Sequence, residues 1–264
     1  MNGIFLLEPP EADSAGIAVF LFLLTCIVSF LAYWLTIESR SLQDRFSRRF
    51  GEERGSLYFF IFNKAWGFLW FGIVCTLLAL VLFPGFHPRD FGLSLPAKGA
   101  ATSRTILWCA LLLPLFVIGT WLGSRGKAAK KADFGRYPEI RMSRWKASTL
   151  VIHISMWCTY LLAYELMFRG TLLFSMAGSL GWWPAVGINV VFYSAAHVPK
   201  GAGEAIGALV LGFLLCLITL STGSIIVAFL AHAALALTNG LGAFHFREDM
   251  TYISSGKNKK GTDT

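Results

Sequence analysis

The sequence predicts an all-α fold, a polytopic membrane helical bundle with about seven to eight transmembrane helices. Of its 264 residues 55% are hydrophobic and only 14% are charged, whereas a soluble domain carries about 25% charged residues. Several apolar runs reach the roughly 20 residues that an α-helix needs to cross a bilayer. No alternation of the kind found in membrane β-barrels is visible, so the backbone polar groups must be satisfied within helices.

Seven apolar runs account for the predicted spans. They cover residues of about 16–35, 65–83, 105–122, 148–174, 184–197, 204–220 and 225–241. The second run ends at Pro84-Gly85, and Gly223 forms a tight turn before the seventh. Residues 36–63 are polar and basic, and Phe46, Phe50 and Leu57 in this stretch suggest a helix on the membrane surface. A solvated cytoplasmic loop fits the same residues equally well.

The positions of the basic residues indicate membrane topology rather than nucleic-acid binding. The net charge is +8, and the Lys and Arg residues concentrate in two interhelical stretches and in the C-terminal tail. The residues before Ser14 hold none, which argues against a cleaved signal peptide. This asymmetry predicts an integral, multi-pass protein of a cell (inner) membrane with its N-terminus outside and its C-terminus inside.

Three regions follow from this pattern. Residues 1–146 form a three-span membrane region with basic cytoplasmic loops, and residues 147–245 form a four-helix core. Residues 246–264 form a basic tail that we expect to be disordered. The five cysteines all lie in apolar runs without a CxxC pair, so we interpret them as small core residues that form neither disulfides nor metal sites.

The fourth apolar run carries the first chemically informative residues, Glu165 and Arg169. They are four residues apart, so a helix places both side chains on one face. Charged residues inside a membrane are costly and are functional candidates by default. A structural ion pair between helices remains the alternative at this point.

Two histidines and one amide are predicted to meet Glu165. The fourth and fifth runs form a hairpin around residues 178–181, which brings Glu165 and His197 to a similar depth at about 1.5 Å per residue. His232 lies on the seventh run, somewhat nearer the outer end, and joins them if the turn at Gly223 dips into the membrane. Asn239 follows it two turns later on the same face.

Such a set of groups fits two chemistries. In the first, Glu165 is the general base for a water that attacks an amide, and a His or Asn stabilises the oxyanion. In the second, His197 and His232 hold a zinc ion whose bound water Glu165 deprotonates. No HExxH motif is present, and the pattern leaves both chemistries open.

The ordered set of motifs resembles the CAAX protease and bacteriocin-processing (CPBP) family of intramembrane proteases, which includes the Ras-converting prenyl-protein endopeptidase. That family carries Glu-Glu-x-x-x-Arg, Phe-x-x-x-His and His-x-x-x-Asn/Asp motifs. The corresponding segments here read Tyr164-Glu165-Leu166-Met167-Phe168-Arg169, Tyr193-Ser194-Ala195-Ala196-His197 and His232-Ala233-Ala234-Leu235-Ala236. Tyr164 replaces the first Glu, and Ala236 replaces the Asn or Asp.

The resemblance implies a membrane-embedded endopeptidase of the glutamate or metalloprotease type. Glu165 would activate the water, His197 would orient it, and His232 would stabilise the oxyanion. Arg169 would set the geometry and charge of Glu165, and Asn239 would assist His232. Zinc is a cofactor that part of the family implies. The expected partners are membrane lipid and a membrane-associated protein or peptide substrate, with a prenylated protein among the candidates.

Two other functions are consistent with the sequence. The replacements at Tyr164 and Ala236 motivate a catalytically degenerate family member that acts as a membrane scaffold or immunity protein. An intramembrane His–Glu proton relay would fit a transporter, but neither the repeated halves nor the paired broken helices of transporters are visible. The endopeptidase therefore remains the preferred prediction.

Overall fold

The computed structural model describes residues 12–85, 87–93, 99–134, 137–198 and 201–253. Within these ranges the chain forms a bundle of α-helices: α1 (Ala12–Ile37), α2 (Arg40–Phe50), α3 (Glu52–Gly67), α4 (Cys75–Leu82), α5 (Ala100–Ala129), α6 (Ala147–Glu165), α7 (Leu173–Leu180), α8 (Trp182–Ala195), α9 (Ala202–Thr222) and α10 (Ile226–Phe246). A 3-10 turn covers Pro88–Phe91, and two short strands, β1 (Arg144–Trp145) and β2 (Thr251–Tyr252), pair in parallel. The predicted all-α membrane bundle is confirmed.

Two stretches of π-helix continue the α-helices without a break. Phe68–Val74 joins α3 to α4, and Leu166–Leu172 joins α6 to α7. The two stretches lie side by side, because a Cβ at Gly72 would sit 3.0 Å from the Cβ of Ala163, just before the second stretch. A π turn takes in an extra residue and is found mostly at functional sites.

Six helices among the described residues are long and apolar enough to cross a membrane: Gly16–Ile37, Glu52–Leu82, Ala100–Ala129, Ala147–Leu180, Ala202–Thr222 and Ile226–Phe246. The predicted fifth span forms α8, which has only 14 residues. At about 1.5 Å per residue it is roughly 21 Å long, which is shorter than a hydrocarbon core of about 30 Å. It still reverses the chain, because α9 packs antiparallel to it and the Ser194 hydroxyl donates to the Ala205 carbonyl at 2.8 Å.

Several helices extend beyond the apolar runs that predict them. The second span starts at Glu52 rather than near Ala65, and α5 extends from Ala100 to Ala129. Charged residues outside the bilayer satisfy helical geometry as readily as apolar ones, so hydropathy does not define helix ends. The stretch of residues 36–63 is helical rather than a loop, with the helices α2 and α3 meeting at Gly51, whose φ is +77°.

The predicted disordered tail is wrong for residues 246–253. Phe246 ends α10, and β2 pairs with β1, with the Thr251 amide donating to the Ser143 carbonyl at 2.8 Å. Arg247 donates to Asp249 at 2.6 Å, and this bond lowers the pKa of Asp249 below its usual value. Residues 254–264 of the predicted tail and the acidic N-terminal residues 1–11 lie outside the described part of the chain.

Candidate active site

A buried carboxylate at the end of α6 lies at the centre of the candidate site. Glu165 is fully buried, and its Oε1 atom accepts a hydrogen bond from Nδ1 of His232 at 2.7 Å. Its Oε2 atom lies 3.2 Å from Nη1 of Arg169, which is also fully buried. The structure therefore brings together the predicted pair of residues 165 and 169 and joins it to the histidine of α10.

Arg169 is held from the opposite side by an aromatic ring. Its guanidinium carbon lies 3.9 Å from the ring centre of Tyr193 on α8, within range of a cation–π interaction. This contact and the ion pair with Glu165 compensate a charge that would otherwise be costly in the membrane. Tyr193 stands where the family motif has Phe, and the face of its ring contacts the guanidinium of Arg169.

His197 follows α8 and lies beside the same tyrosine. The ring centres of His197 and Tyr193 are 4.7 Å apart, and those of His232 and Tyr193 are 6.3 Å apart. Nδ1 of His197 lies 2.8 Å from the Tyr193 carbonyl oxygen, which can only accept a hydrogen bond. That nitrogen therefore carries the hydrogen, and in the neutral ring Nε2 of His197 has the lone pair.

Tyr164 occupies the position of the first Glu in the family motif and lines the site. Its ring is 5.5 Å from the ring of His232 and 5.9 Å from that of Tyr193, with both pairs edge to face. The residue is buried and also contacts Phe71 of the first π stretch. An aromatic ring thus fills the position of the first Glu, and Glu165 is the carboxylate that contacts His232.

The structure does not bring Asn239 into contact with Glu165 or with the histidines. Asn239 lies seven residues beyond His232, which corresponds to about 10 Å along α10. Among the described residues its amide makes no hydrogen bond, and the neighbouring Gly240 faces the ring of His153 instead. Ala236, where the family has Asn or Asp, belongs to an apolar cluster with Trp157 and Leu161.

Asn189 is a site-forming residue that the sequence analysis missed. Its amide nitrogen donates to the Phe168 carbonyl at 2.5 Å, and its Oδ1 atom accepts a bond from the thiol of Cys216 at 3.1 Å. Asn189 is fully buried and thus ties α8 and α9 to the π stretch between Glu165 and Arg169. The signal was its spacing, because residues 189, 193 and 197 recur every four positions and lie on one helical face.

The loop after α4 packs against the second π stretch and against the turn before α10. The Gly92 carbonyl accepts hydrogen bonds from the Ile225 amide at 3.1 Å and the Ser224 hydroxyl at 3.4 Å. A Cβ at Gly170, in the second π stretch, would lie 2.8 Å from the Phe91 carbonyl oxygen. Only glycine permits this close approach, so the loop and the π stretch fit directly against each other.

A second buried ion pair lies outside the site and was also missed. Nζ of Lys64 is 2.8 Å from Glu139, and it lies 3.4 Å from the ring centre of Trp157. The Lys64 side chain is only 2% exposed. The pair fixes the loop before α6 to α3, and Glu53 adds a second fixing point by accepting two hydrogen bonds from Ser143.

The described residues offer fewer ligands than a catalytic zinc site uses. Such sites have three protein ligands, and no group of three or more His, Cys, Asp or Glu side chains in the described part of the chain is arranged to hold a metal ion. Both oxygens of Glu165 are engaged by His232 and Arg169. The donor set of the described residues therefore does not fit a complete zinc site.

One comparison with known proteins finds a match, and the match spans the candidate site. Residues 146–238 match a family model described as Type II CAAX prenyl endopeptidase Rce1-like. This segment holds Glu165, Arg169, His197 and His232, so the match covers the motifs that resemble the CAAX protease family and supports that resemblance. No curated protein and no solved structure matches the chain.

Proposed function

We propose that the protein is an intramembrane endopeptidase of the CAAX prenyl protease type, which hydrolyses a peptide bond in a membrane-associated substrate with a Glu-activated water. The observation that carries the proposal is the 2.7 Å bond between the buried carboxylate of Glu165 and the imidazole of His232. The family match at residues 146–238 supports proteolysis as the activity. A prenylated protein is the substrate class that the family description suggests.

Glu165 takes the proton of the attacking water in this mechanism. Each carboxylate oxygen has two acceptor positions, so Oε1 retains one for a water although it already accepts from His232. The water reaches it beside His232, whose side chain is 15% exposed, while that of Glu165 is fully buried. Nε2 of His197 accepts the second hydrogen of the water and orients its lone pair toward the scissile carbonyl carbon.

His232 stabilises the negative charge that develops on the carbonyl oxygen. When doubly protonated beside Glu165, it keeps its Nδ1 hydrogen on the carboxylate and presents its Nε2 hydrogen to the oxyanion. As the C–N bond breaks, the leaving nitrogen takes the proton from Glu165, which regenerates the carboxylate. Arg169 holds the second oxygen of Glu165 in place throughout the cycle.

Zinc at His197 and His232 remains a prediction that a metal analysis tests. Both histidines have Nδ1 fixed by an acceptor, on Tyr193 and Glu165 respectively, and such fixing is common in metal-bound histidines. Two imidazoles alone are nevertheless one ligand short of a catalytic zinc site. Plasma mass spectrometry of protein purified without chelators is the test: one equivalent of zinc per chain, lost in His197→Ala, would support a metal at the two histidines, and an active protein free of zinc would refute it.

The deciding experiment measures peptide cleavage by purified protein in lipid vesicles. The substrates are a library of peptides with and without a C-terminal prenyl group. Because Glu165 is the base, Glu165→Gln is expected to lower kcat by about 10²–10⁴-fold. Glu204→Gln is the matched control, since Glu204 is an exposed carboxylate at the start of α9. Equal cleavage by Glu165→Gln and wild type would refute the base assignment.

The same assay decides between the enzyme and its alternative. His232→Gln is expected to lower kcat by about 10²–10³-fold, as the loss of an oxyanion donor does, whereas His245→Gln at the end of α10 should retain activity. Tyr164, in place of the family's first Glu, is the observation that favours a non-catalytic scaffold or immunity protein. Folded wild type that cleaves no member of the library would support that alternative.

A further inference from the structure

A groove lies at the elbow between the end of α1 and the start of α2, away from the candidate active site. It is open to the surroundings along most of its rim, and its volume is about 380 Å³. Three hydroxyl side chains, one guanidinium and two leucines line it: Thr36, Ser39, Ser41, Arg45, Leu35 and Leu42. The combination of one cation, several hydroxyls and apolar side chains is typical of a site for an amphipathic anion.

The hydrogen bonds of the hydroxyls show which of them can donate to a ligand. The Thr36 hydroxyl donates to the Ala32 carbonyl at 2.7 Å, so it offers only lone pairs to the groove. The Ser39 hydroxyl accepts from the Leu42 amide at 3.4 Å, which leaves its own hydrogen to donate. Ser39, Ser41 and the guanidinium of Arg45 are therefore the donors that face the groove.

The arginines of α2 are placed so that they attract an anion to the groove. At about 100° per residue, Arg45 and Arg49 lie on the side of the helix that adjoins its apolar stripe, whereas Asp44 lies about 100° away. Residues 38–49 hold four arginines against two acidic residues, Glu38 and Asp44. The groove is thus flanked by an excess of positive charge.

The apolar surface next to the groove continues along the membrane span. Leu35 and Leu31 of α1 are 62% and 43% exposed, and they belong to the candidate span Gly16–Ile37. In a bilayer these side chains contact acyl chains, while the elbow lies at the level of the headgroups. One turn after Leu42 on α2, Phe46 packs on Phe59 of α3 with ring centres 5.6 Å apart, which fixes the helix beside the groove.

We propose that this groove binds the headgroup of an anionic phospholipid. Arg45 would pair with the phosphate, because a planar guanidinium matches phosphate geometry. Ser39 and Ser41 would donate to the phosphate or glycerol oxygens, and an acyl chain would lie along Leu35 and Leu31. The site is independent of the proposed protease activity, so its failure or success leaves that proposal unchanged.

Native mass spectrometry of the full-length protein tests the proposal with phosphatidylglycerol and phosphatidylcholine as probes. Wild type is expected to retain phosphatidylglycerol in preference. Arg45→Gln should weaken its binding about fivefold, the effect of one basic residue at a membrane surface. Ser41→Trp fills the groove without changing charge and should abolish the preference. Arg54→Gln is the control, because Arg54 is exposed on α3 and does not line the groove.

The outcomes separate a specific lipid site from its alternatives. Loss of preference in Arg45→Gln and Ser41→Trp, with Arg54→Gln unchanged, supports the site. An equal loss in Arg54→Gln would mean diffuse attraction between charges and would overturn it, as would equal retention of both lipids by wild type. Displacement of phosphatidylglycerol by millimolar inorganic phosphate would assign the groove to a free anion and would overturn the lipid proposal.

Discussion

Asn189 shows how a neutral side chain can determine the position of charged ones. Its amide donates to the Phe168 carbonyl, which lies between Glu165 and Arg169 in the chain. The same carbonyl accepts the Leu173 amide at the end of the π stretch. Asn189 thereby fixes the backbone that places the carboxylate against His232, without touching the carboxylate itself.

Replacement of Asn189 should therefore destabilise the protein. Asn189→Ala removes the bond to Phe168 and leaves the Cys216 thiol without its acceptor, at an expected cost of about 1–3 kcal/mol. Asn239→Ala is the matched control and should change stability by less than about 0.5 kcal/mol, since no hydrogen bond of Asn239 is described. Thermal unfolding in detergent measures both variants, and equal shifts would contradict the role of Asn189.

The Lys64–Glu139 pair allows a test of what a buried charge costs. Glu139→Gln leaves a cation that is 2% exposed without its counter-ion and should cost about 3 kcal/mol, partly offset by the Trp157 ring. Lys64→Met fills the aromatic surroundings and leaves Glu139, whose side chain is 24% exposed, able to hydrate. We expect a cost of about 1 kcal/mol for this variant.

The double variant Lys64→Met with Glu139→Gln completes the cycle. It should be more stable than Glu139→Gln alone, because no unpaired charge remains buried. Reversible unfolding in mixed micelles gives the four free energies of unfolding. If Lys64→Met loses more stability than Glu139→Gln, the cost of burying the lysine charge is not the largest contribution to the energy of the pair.

Some of these residues were predictable and others were not. Glu165 and His232 lie 67 positions apart, and the structure joins them. Depth in the bilayer paired Glu165 with His197, and it left the contact of His232 dependent on the depth of the turn at Gly223. The predicted contact of Asn239 does not occur among the described residues, because two turns of α10 carry it beyond the reach of the carboxylate. Glu139 and Lys64 are 75 positions apart, and nothing in their local sequence matched one to the other.

At the scale of the helices, the π stretch of Leu166–Leu172 fits against the loop that ends at Gly92. Gly170 is the point of closest approach, since a Cβ there would lie 2.8 Å from both the Phe91 carbonyl oxygen and a methyl group of Leu166. The carbonyl belongs to backbone and cannot turn away. Gly170 is therefore required by packing, while its φ is not in the left-handed region.

Gly170→Ala should destabilise the protein by about 1–3 kcal/mol through overpacking. Gly187→Ala is the matched control in α8, because a Cβ there meets nothing within 4 Å, and alanine is the better helix former. Circular dichroism during thermal unfolding compares the two. If both variants unfold at the wild-type temperature, the close approach of the Phe91 carbonyl oxygen to Gly170 does not limit packing at this position.

Hydropathy predicted the existence of the helices better than their ends or their winding. The predicted runs all became helices, because apolar length determines which segments enter the bilayer. The start of α3 at Glu52 was not predictable from apolar length, since its first turns are polar. The π stretches are also invisible in sequence, because the choice between α and π winding depends on tertiary partners such as Asn189.

At the scale of the whole molecule, the predicted orientation can be read out with single cysteines. The charge asymmetry places the loop after α5 inside and the 3-10 turn of Pro88–Phe91 outside. In intact cells, Arg89→Cys should react with a membrane-impermeant maleimide and Asp133→Cys should react only after lysis. The parent with its five native cysteines gives the background, and the reverse labelling would invert the topology.

The Gly92 carbonyl also connects the N-terminal half of the chain to the C-terminal half. Its partners, Ser224 and Ile225, lie in the segment that matches the protease family, whereas Gly92 lies before it. The α5 and α10 helices extend this contact along the bundle. Two fragments made by dividing the gene after Ala132 should therefore associate in the bilayer and co-purify, because each provides the helix surface on which the other packs.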